Sequence, residues 1–277
     1  MTRSLRTRGL SLIELLIALA ITLFLVMGLA TVYLSNEAGS VAQRAEATLD
    51  DNVRLAVTLL TTDIRQAGYR FNLAIPASQL FTIIPDNEAD PVAFLATPSN
   101  PLMIGVWHGS PAPPYGFAVS FQSDGTLSNC LGQLIPIGSI ATDEWKVDTS
   151  TNQLECRSRI STIAGNAFGS YVPLVNDVEY MMVRFGVDTL GDGSVTAYVT
   201  PSKVVTYSQI QAIQVALLMA SGDSVDPQGD LGDVLPKASQ ANYNLLGYTL
   251  SSWPLTPDRY LRVVIVRDIA LKNLIPD

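Results

Sequence analysis

Leu10-Ser11-Leu12-Ile13-Glu14-Leu15-Leu16-Ile17-Ala18-Leu19 opens a run of 25 residues that ends at Leu34 and holds one charge, Glu14. About 20 helical residues already cross a bilayer core, so this run is long enough to span one. It is longer than the roughly 7–15-residue apolar region of a cleaved secretory signal, and no small-residue cleavage site follows it. Arg3, Arg6 and Arg8 precede it and hold that end in the cytoplasm by the positive-inside rule. A carboxylate in such a stretch costs about 2.5–3.5 kcal/mol to insert, which marks Glu14 as functional by default.

Beyond Leu34 the helical pattern continues in a different form. Ala42, Ala45, Leu49, Val53, Ala56, Leu60, Ile64 and Ala67 recur every three or four residues as one apolar stripe. Arg44, Glu46, Asp50, Asp51, Arg54 and Asp63 are assigned to the other faces. Gly68 suits the residue just past a helix end, and Arg65 in the last turn complements the helix dipole. The predicted helix covers 58 residues from Leu10 to Ala67, roughly 87 Å. Its first half is apolar all round and its second half amphipathic. Gly28 and Gly39 are expected points of local flexibility.

The rest of the chain reads as one β-rich domain. Residues 69–170 are rich in Pro, Gly, Ser and Asn, with short apolar runs at Leu80–Ile84, Leu102–Val106 and Phe117–Phe121, read as short strands between long loops. Pro111–Gly116 is a rigid connector, with partner docking the lesser reading. Val175 to Phe185 alternates as a half-buried strand, and Asp188–Gly193 turns into Val195–Thr200. Further strands cover Ile213–Met219 and Leu261–Arg267, while 220–258 is a long polar loop region. The formal charge is −8, and about −11 without the three leading arginines, which argues against a nucleic-acid surface.

Cys130 and Cys156 read as a disulfide in an exported domain, with two free thiols as the alternative. The one histidine, His108, is not at ligand spacing from either. Asp188, Asp192 and Gly193 fit three positions of a calcium loop, but Leu190 and Val199 stand where ligands belong, so a tight turn is the better account. Asp223, Asp226, Asp230 and Asp233 read as a solvated acidic loop rather than a cation site. Trp107, Trp145 and Trp253 read as packing residues rather than a carbohydrate platform. No G-x-S-x-G, P-loop or H-E-x-x-H occurs, and neither a catalytic residue nor a cofactor is expected.

The basic leader ending in Gly9, with Glu14 five residues into the segment that follows, resembles the class III signal of type IV pilins and type II secretion pseudopilins. Asp63–Arg70, Leu174–Glu179, Phe185–Thr189 with Asp192-Gly193, and Arg262 with Ile269–Asn273 narrow the resemblance to the PilW family of minor pilins. Two residues depart from the family pattern: Leu10, where Phe is usual, and Lys272, where Arg is expected. J-type pseudopilins of type II secretion share the architecture and are the alternative. A single-pass membrane protein with a ligand-binding periplasmic domain is a further rival.

The resemblance implies an α+β, type IV pilin-like fold: a long N-terminal α-helix packed on an antiparallel β-sheet domain. It implies a leader at 1–9, a transmembrane and assembly half at 10–34, an amphipathic half at 35–68 and a periplasmic domain at 69–277. A prepilin peptidase would cut between Gly9 and Leu10 and methylate the new amine. In a filament, Glu14 would pair with that amine on a neighbouring subunit. Other minor pilins, the major pilin and a tip adhesin are the implied partners. The protein would first sit in the inner membrane and then enter the pilus on the cell surface.

Overall fold

Ser11 has extended backbone (φ −71°, ψ 143°), and the chain turns helical at Leu12 to form α1, Leu12–Gln66. These 55 residues correspond to about 82 Å. α1 runs through Gly28 and Gly39 without a break. Ala67 leaves the helix, and Gly68 takes φ +74°, which a glycine adopts without a Cβ clash. The Gly68 N–H donates to the Ser120 carbonyl at 2.9 Å, turning the chain onto the domain.

The computed structural model describes residues 11–72, 104–108, 115–161, 168–204, 209–222, 224, 241–253 and 258–272. Gly9, Leu10, the run 80–84, the prolines of 111–114 and the aspartates at 223, 226, 230 and 233 lie outside these residues. For Trp107, His108 and Trp253 only the backbone is described.

Eleven strands appear among the described residues: β1 (Ile104–His108), β2 (Tyr115–Gln122), β3 (Ile140–Asp148), β4 (Gln153–Ser161), β5 (Val172–Asn176), β6 (Val178–Val187), β7 (Ala197–Val199), β8 (Ile210–Ala220), β9 (Ala241–Leu245), β10 (Tyr248–Trp253) and β11 (Arg262–Ala270). β1 to β5 form a five-stranded meander. A four-stranded sheet has the order β11-β8-β6-β7, and β9 and β10 make a separate hairpin. Every pairing is antiparallel. One long helix with antiparallel sheets is an α+β fold.

Alternation places Phe117, Val119, Ala141, Trp145, Leu154 and Cys156 on the inner face of the meander, all buried. Met181, Val183 and Phe185 of β6 and Ile213, Val215 and Leu217 of β8 complete the same core, together with Leu49, Ala56, Leu60 and Ile64 of α1. A smaller cluster on the other face of the four-stranded sheet joins Met182, Ala216 and Leu218 to Leu245 and Leu250 of the hairpin. β6 and β8 are therefore buried on both faces.

Four expectations need correction. Val175–Phe185 is not one half-buried strand, because Asp177 takes φ 63° and passes the chain from β5 in one sheet to β6 in the other. The region 220–258 contains β9 and β10, whose turn is Leu246-Gly247 with both φ positive (52° and 82°). Residues 140–161 hold two nine-residue strands, not short ones. Asp63, assigned to a face other than the apolar stripe, is only 4 % exposed.

Candidate functional site

α1 carries two surfaces with different requirements. Its most apolar 18-residue window has a mean hydropathy of 2.7, and none of that window is covered by the rest of the chain. Leu12, Phe24 and Leu29 are 79 %, 80 % and 70 % exposed. A contiguous apolar surface of this size belongs against lipid or other apolar helices, not water. By length and composition the helix can cross a membrane.

Glu14 sits in the first turn of this surface. The Ser11 N–H donates to its Oε2 at 3.4 Å, a long contact in which the carboxylate faces the helix start. A carboxylate is favoured there by the partial positive charge of the helix N-terminus. Glu14 makes no ion pair among the described residues.

The lower half of α1 is bound to the domain through apolar packing and three polar ties. Ala45, Leu49, Ala56, Leu60, Ile64 and Ala67 are buried, and α1 touches β2, β5, β8 and β11. In the first tie, Nδ2 of Asn52 donates to Oδ2 of Asp177 at 3.1 Å, joining the stem to the crossover between the sheets. In the second, Nε1 of Trp145 donates to Oδ2 of Asp63 at 2.5 Å inside the core. In the third, the Phe71 and Asn72 N–H groups donate to Oε1 of Gln122 at 3.0 and 3.2 Å as the chain leaves the stem.

Asp63 belongs to a cluster that sequence reasoning missed. Burial raises its pKa well above the usual carboxylate range, and the charge of Asp143 raises it further, while the Trp145 hydrogen bond works the other way. Asp143 is wholly buried, and its Oδ2 accepts the Cys130 N–H at 2.7 Å. Burial pushes Asp143 up to about 6, opposed by the nearby Ser158 hydroxyl and by the hydrogen bond from the Cys130 backbone. Cys130 is disulfide-bonded to Cys156, with their Cα atoms 6.5 Å apart. The cross-strand partner of Cys156 is Trp145. Stem, Asp143 and disulfide thus meet at one point of the meander.

Two further arrangements fix the four-stranded sheet and its turns. Arg262 at the start of β11 reaches both oxygens of Glu179 on β6 at 2.8–3.1 Å and both of Asp258 at 2.7 Å. Burial opposes its charge, but hydrogen bonds to the two carboxylates outweigh that and raise its pKa. Asp188 receives the N–H groups of Leu190, Gly191 and Gly193 at 2.9, 2.7 and 2.6 Å, so both its oxygens close a backbone turn. Asp192 Oδ1 is likewise taken by Ser194. Among the described residues no three His, Cys, Asp or Glu gather as a metal site.

Residues 143–273 match the family model of PilW, type IV pilus-assembly protein W. This region is PilW-like. The PilW match begins at Asp143 and contains Trp145 and Asp177, the sheet-side members of two of the three ties, together with Cys156, Glu179, Asp188 and Arg262, while Gln122 lies outside it. It covers a little under half of the chain and does not include the stem. A type IV-like pilin from Thermus thermophilus superposes with a TM-score of 0.46 at 14 % identity, covering 82 % of this chain and 98 % of that one. That score is below the level at which a shared fold follows. A comparison with curated proteins finds no match.

Asp63 was legible after all. It lies three residues after Leu60 and four before Ala67, which is the spacing of the stripe itself. Asp143 follows in the same way from the alternation of Ala141, Trp145 and Val147 on one face of β3.

Proposed function

We propose that this chain is a PilW-type minor pilin that helps to initiate type IV pilus assembly and joins other minor pilins beneath an adhesin at the pilus tip. The observation that carries the reading is a single helix with two fates: residues 12–34 are largely apolar and uncovered, while one face of residues 45–67 is buried against a domain whose sequence matches PilW. Such a stem has to be stored in lipid and can then pass into a bundle of apolar helices without meeting water. The leader 1–9 is removed between Gly9 and Leu10, residues 10–34 serve as membrane and assembly segment, 35–68 as domain-bound stem, and 69–277 as periplasmic domain. The role is assembly rather than catalysis.

Glu14 supplies the recognition step. In the apolar surroundings of a filament its carboxylate requires a cation, and the processed amine of Leu10 on a neighbouring subunit provides one. Two opposite charges attract far more strongly there than in water. Losing one member leaves the other uncompensated, at about 3–5 kcal/mol.

Pull-down of tagged full-length protein from detergent-solubilised membranes tests the reading. Recovery of other minor pilins supports it, and recovery of type II secretion pseudopilins alone assigns the chain to the J-type instead. The Glu14→Ala protein reaches the membrane but is lost from assembled pili; normal incorporation of this variant overturns the role given to Glu14.

A further inference from the structure

The stem ends on a pair of carboxyls that the pilus reading does not use. Asp63 is 4 % exposed on the last turn of α1, and Asp143 is fully buried on β3, on the same face as Trp145, which donates to Asp63. After burial itself, the charge of Asp143 is the strongest influence on Asp63. Their donors are the indole N–H of Trp145 on one side and the Cys130 N–H on the other. Oδ1 of Asp143 is buried and meets no donor among the described residues.

Among the described residues, no cation is set against the pair. Of the elements around it, β2 and β6 present apolar side chains such as Val119, Phe121, Met181 and Val183. β4 presents Ser158 and the disulfide-bonded Cys156, the register partners of Asp143 and Trp145. Arg157 and Arg159 alternate to the opposite face of that sheet, where Arg157 pairs with Glu144 at 2.5 Å. Arg65 in the last turn of α1 is exposed. Arg267 of β11 lies beside Leu60 and Thr61 at the edge of the helix, but neither carboxyl is influenced by it. Two carboxylates in an apolar seam cannot both stay ionised cheaply, so at least one proton is held between them while the seam is closed.

We propose that Asp63 and Asp143 form a proton-operated latch that holds the last turn of the stem against the five-stranded sheet. With a proton on the pair, Asp63 keeps the Trp145 indole and the turn 60–67 is docked. When the pair is doubly ionised, repulsion and desolvation act on the one junction where stem, sheet and disulfide meet, and that turn loosens. The latch sets how freely the apolar stem pivots on its domain, a property independent of what the stem finally assembles with.

Hydrogen exchange of the full-length protein in detergent micelles tests this. The readout is protection of the amides 60–66 relative to those of β8, which cancels the chemical pH dependence of exchange. One proton allows at most about tenfold per pH unit, so protection is expected to fall by about tenfold or more over the interval, followed upward from about pH 5, in which the pair loses its last proton. Asp143→Asn removes the charge that opposes Asp63 and keeps an acceptor for Cys130, so the part of the fall due to repulsion is lost, the part due to burial of Asp63 remains, and the relative protection is expected to fall clearly less than in the wild type. Asp63→Asn, which keeps an acceptor for Trp145, serves as the second variant. A flat wild-type ratio overturns the latch, as does the same fall in either variant.

Discussion

The indole Nε1 of Trp145 donates to Oδ2 of Asp63 at 2.5 Å, linking the last turn of the stem to the centre of the five-stranded sheet. Both side chains are buried. Removing the donor strands a buried carboxyl, which costs about 1–3 kcal/mol beyond any lost packing. Trp145→Phe is therefore expected to lower stability by about 2–3 kcal/mol, read as a shift in the urea midpoint. Asp63→Asn keeps the acceptor and removes the charge, and is expected to be the milder change.

Stability should fall as pH rises through the range where the buried pair titrates. Asp63 and Asp143 have folded pKa values above the ordinary carboxylate, so the native state binds more protons than the unfolded chain. Their contribution is fully present below the unfolded pKa near 4 and is lost as pH climbs through about 6 for Asp143 and onward for Asp63. Thermal unfolding across this range should show the decline, and Asp143→Asn should reduce it to the part that burial of Asp63 alone contributes. A wild-type stability that rises over the same interval contradicts the assignment.

The disulfide closes a loop of 26 residues across the meander. In the chain-entropy account this contributes about 3.5 kcal/mol. The Cys130→Ser, Cys156→Ser double variant should lose about that much, measured by chemical unfolding, and reduction of the wild type should match it.

Arg262 holds Glu179 and Asp258 together with both edges of its guanidinium. Glu179 is only 4 % exposed, so Arg262→Met takes the guanidinium away from a buried carboxylate and is expected to cost about 3–5 kcal/mol. Arg262→Lys should fail to restore it, because an ammonium lacks the planar fork. The Arg262→Met, Glu179→Met pair should recover much of the loss.

The helical parts of this fold were the most legible. The 25-residue apolar run and the stripe from Ala42 to Ala67 fix the stem and its buried face, because a helix repeats its pattern over many turns. Gly68 ends it, with the positive φ expected of a glycine there. β8 and β11 were found from their apolar runs. β6 was placed in the right region but given the wrong start, since Asp177 is not a glycine and its left-handed backbone leaves no compositional mark. The β9–β10 hairpin was missed because its turn is Leu-Gly rather than Asn-Gly, and because Leu245 and Leu250 are apolar anchors in a polar stretch. Asp63 is set off the apolar stripe and Asp143 goes unnoticed because a charged residue reads as a surface residue until its spacing is tested against its neighbours.

At Glu14, α1 has a carboxylate on an uncovered apolar surface, with a 3.4 Å contact to the Ser11 N–H. Its proposed partner exists only after the leader has been cut away, so the state of the N-terminus in assembled pili is decisive. Pili sheared from cells, digested and read by mass spectrometry for this chain's N-terminal peptide test the whole account in one measurement. The expected result is a peptide that begins at a methylated Leu10 and is recovered from the pilus fraction. A peptide that begins at Met1, or a chain found in membranes but absent from pili, contradicts it.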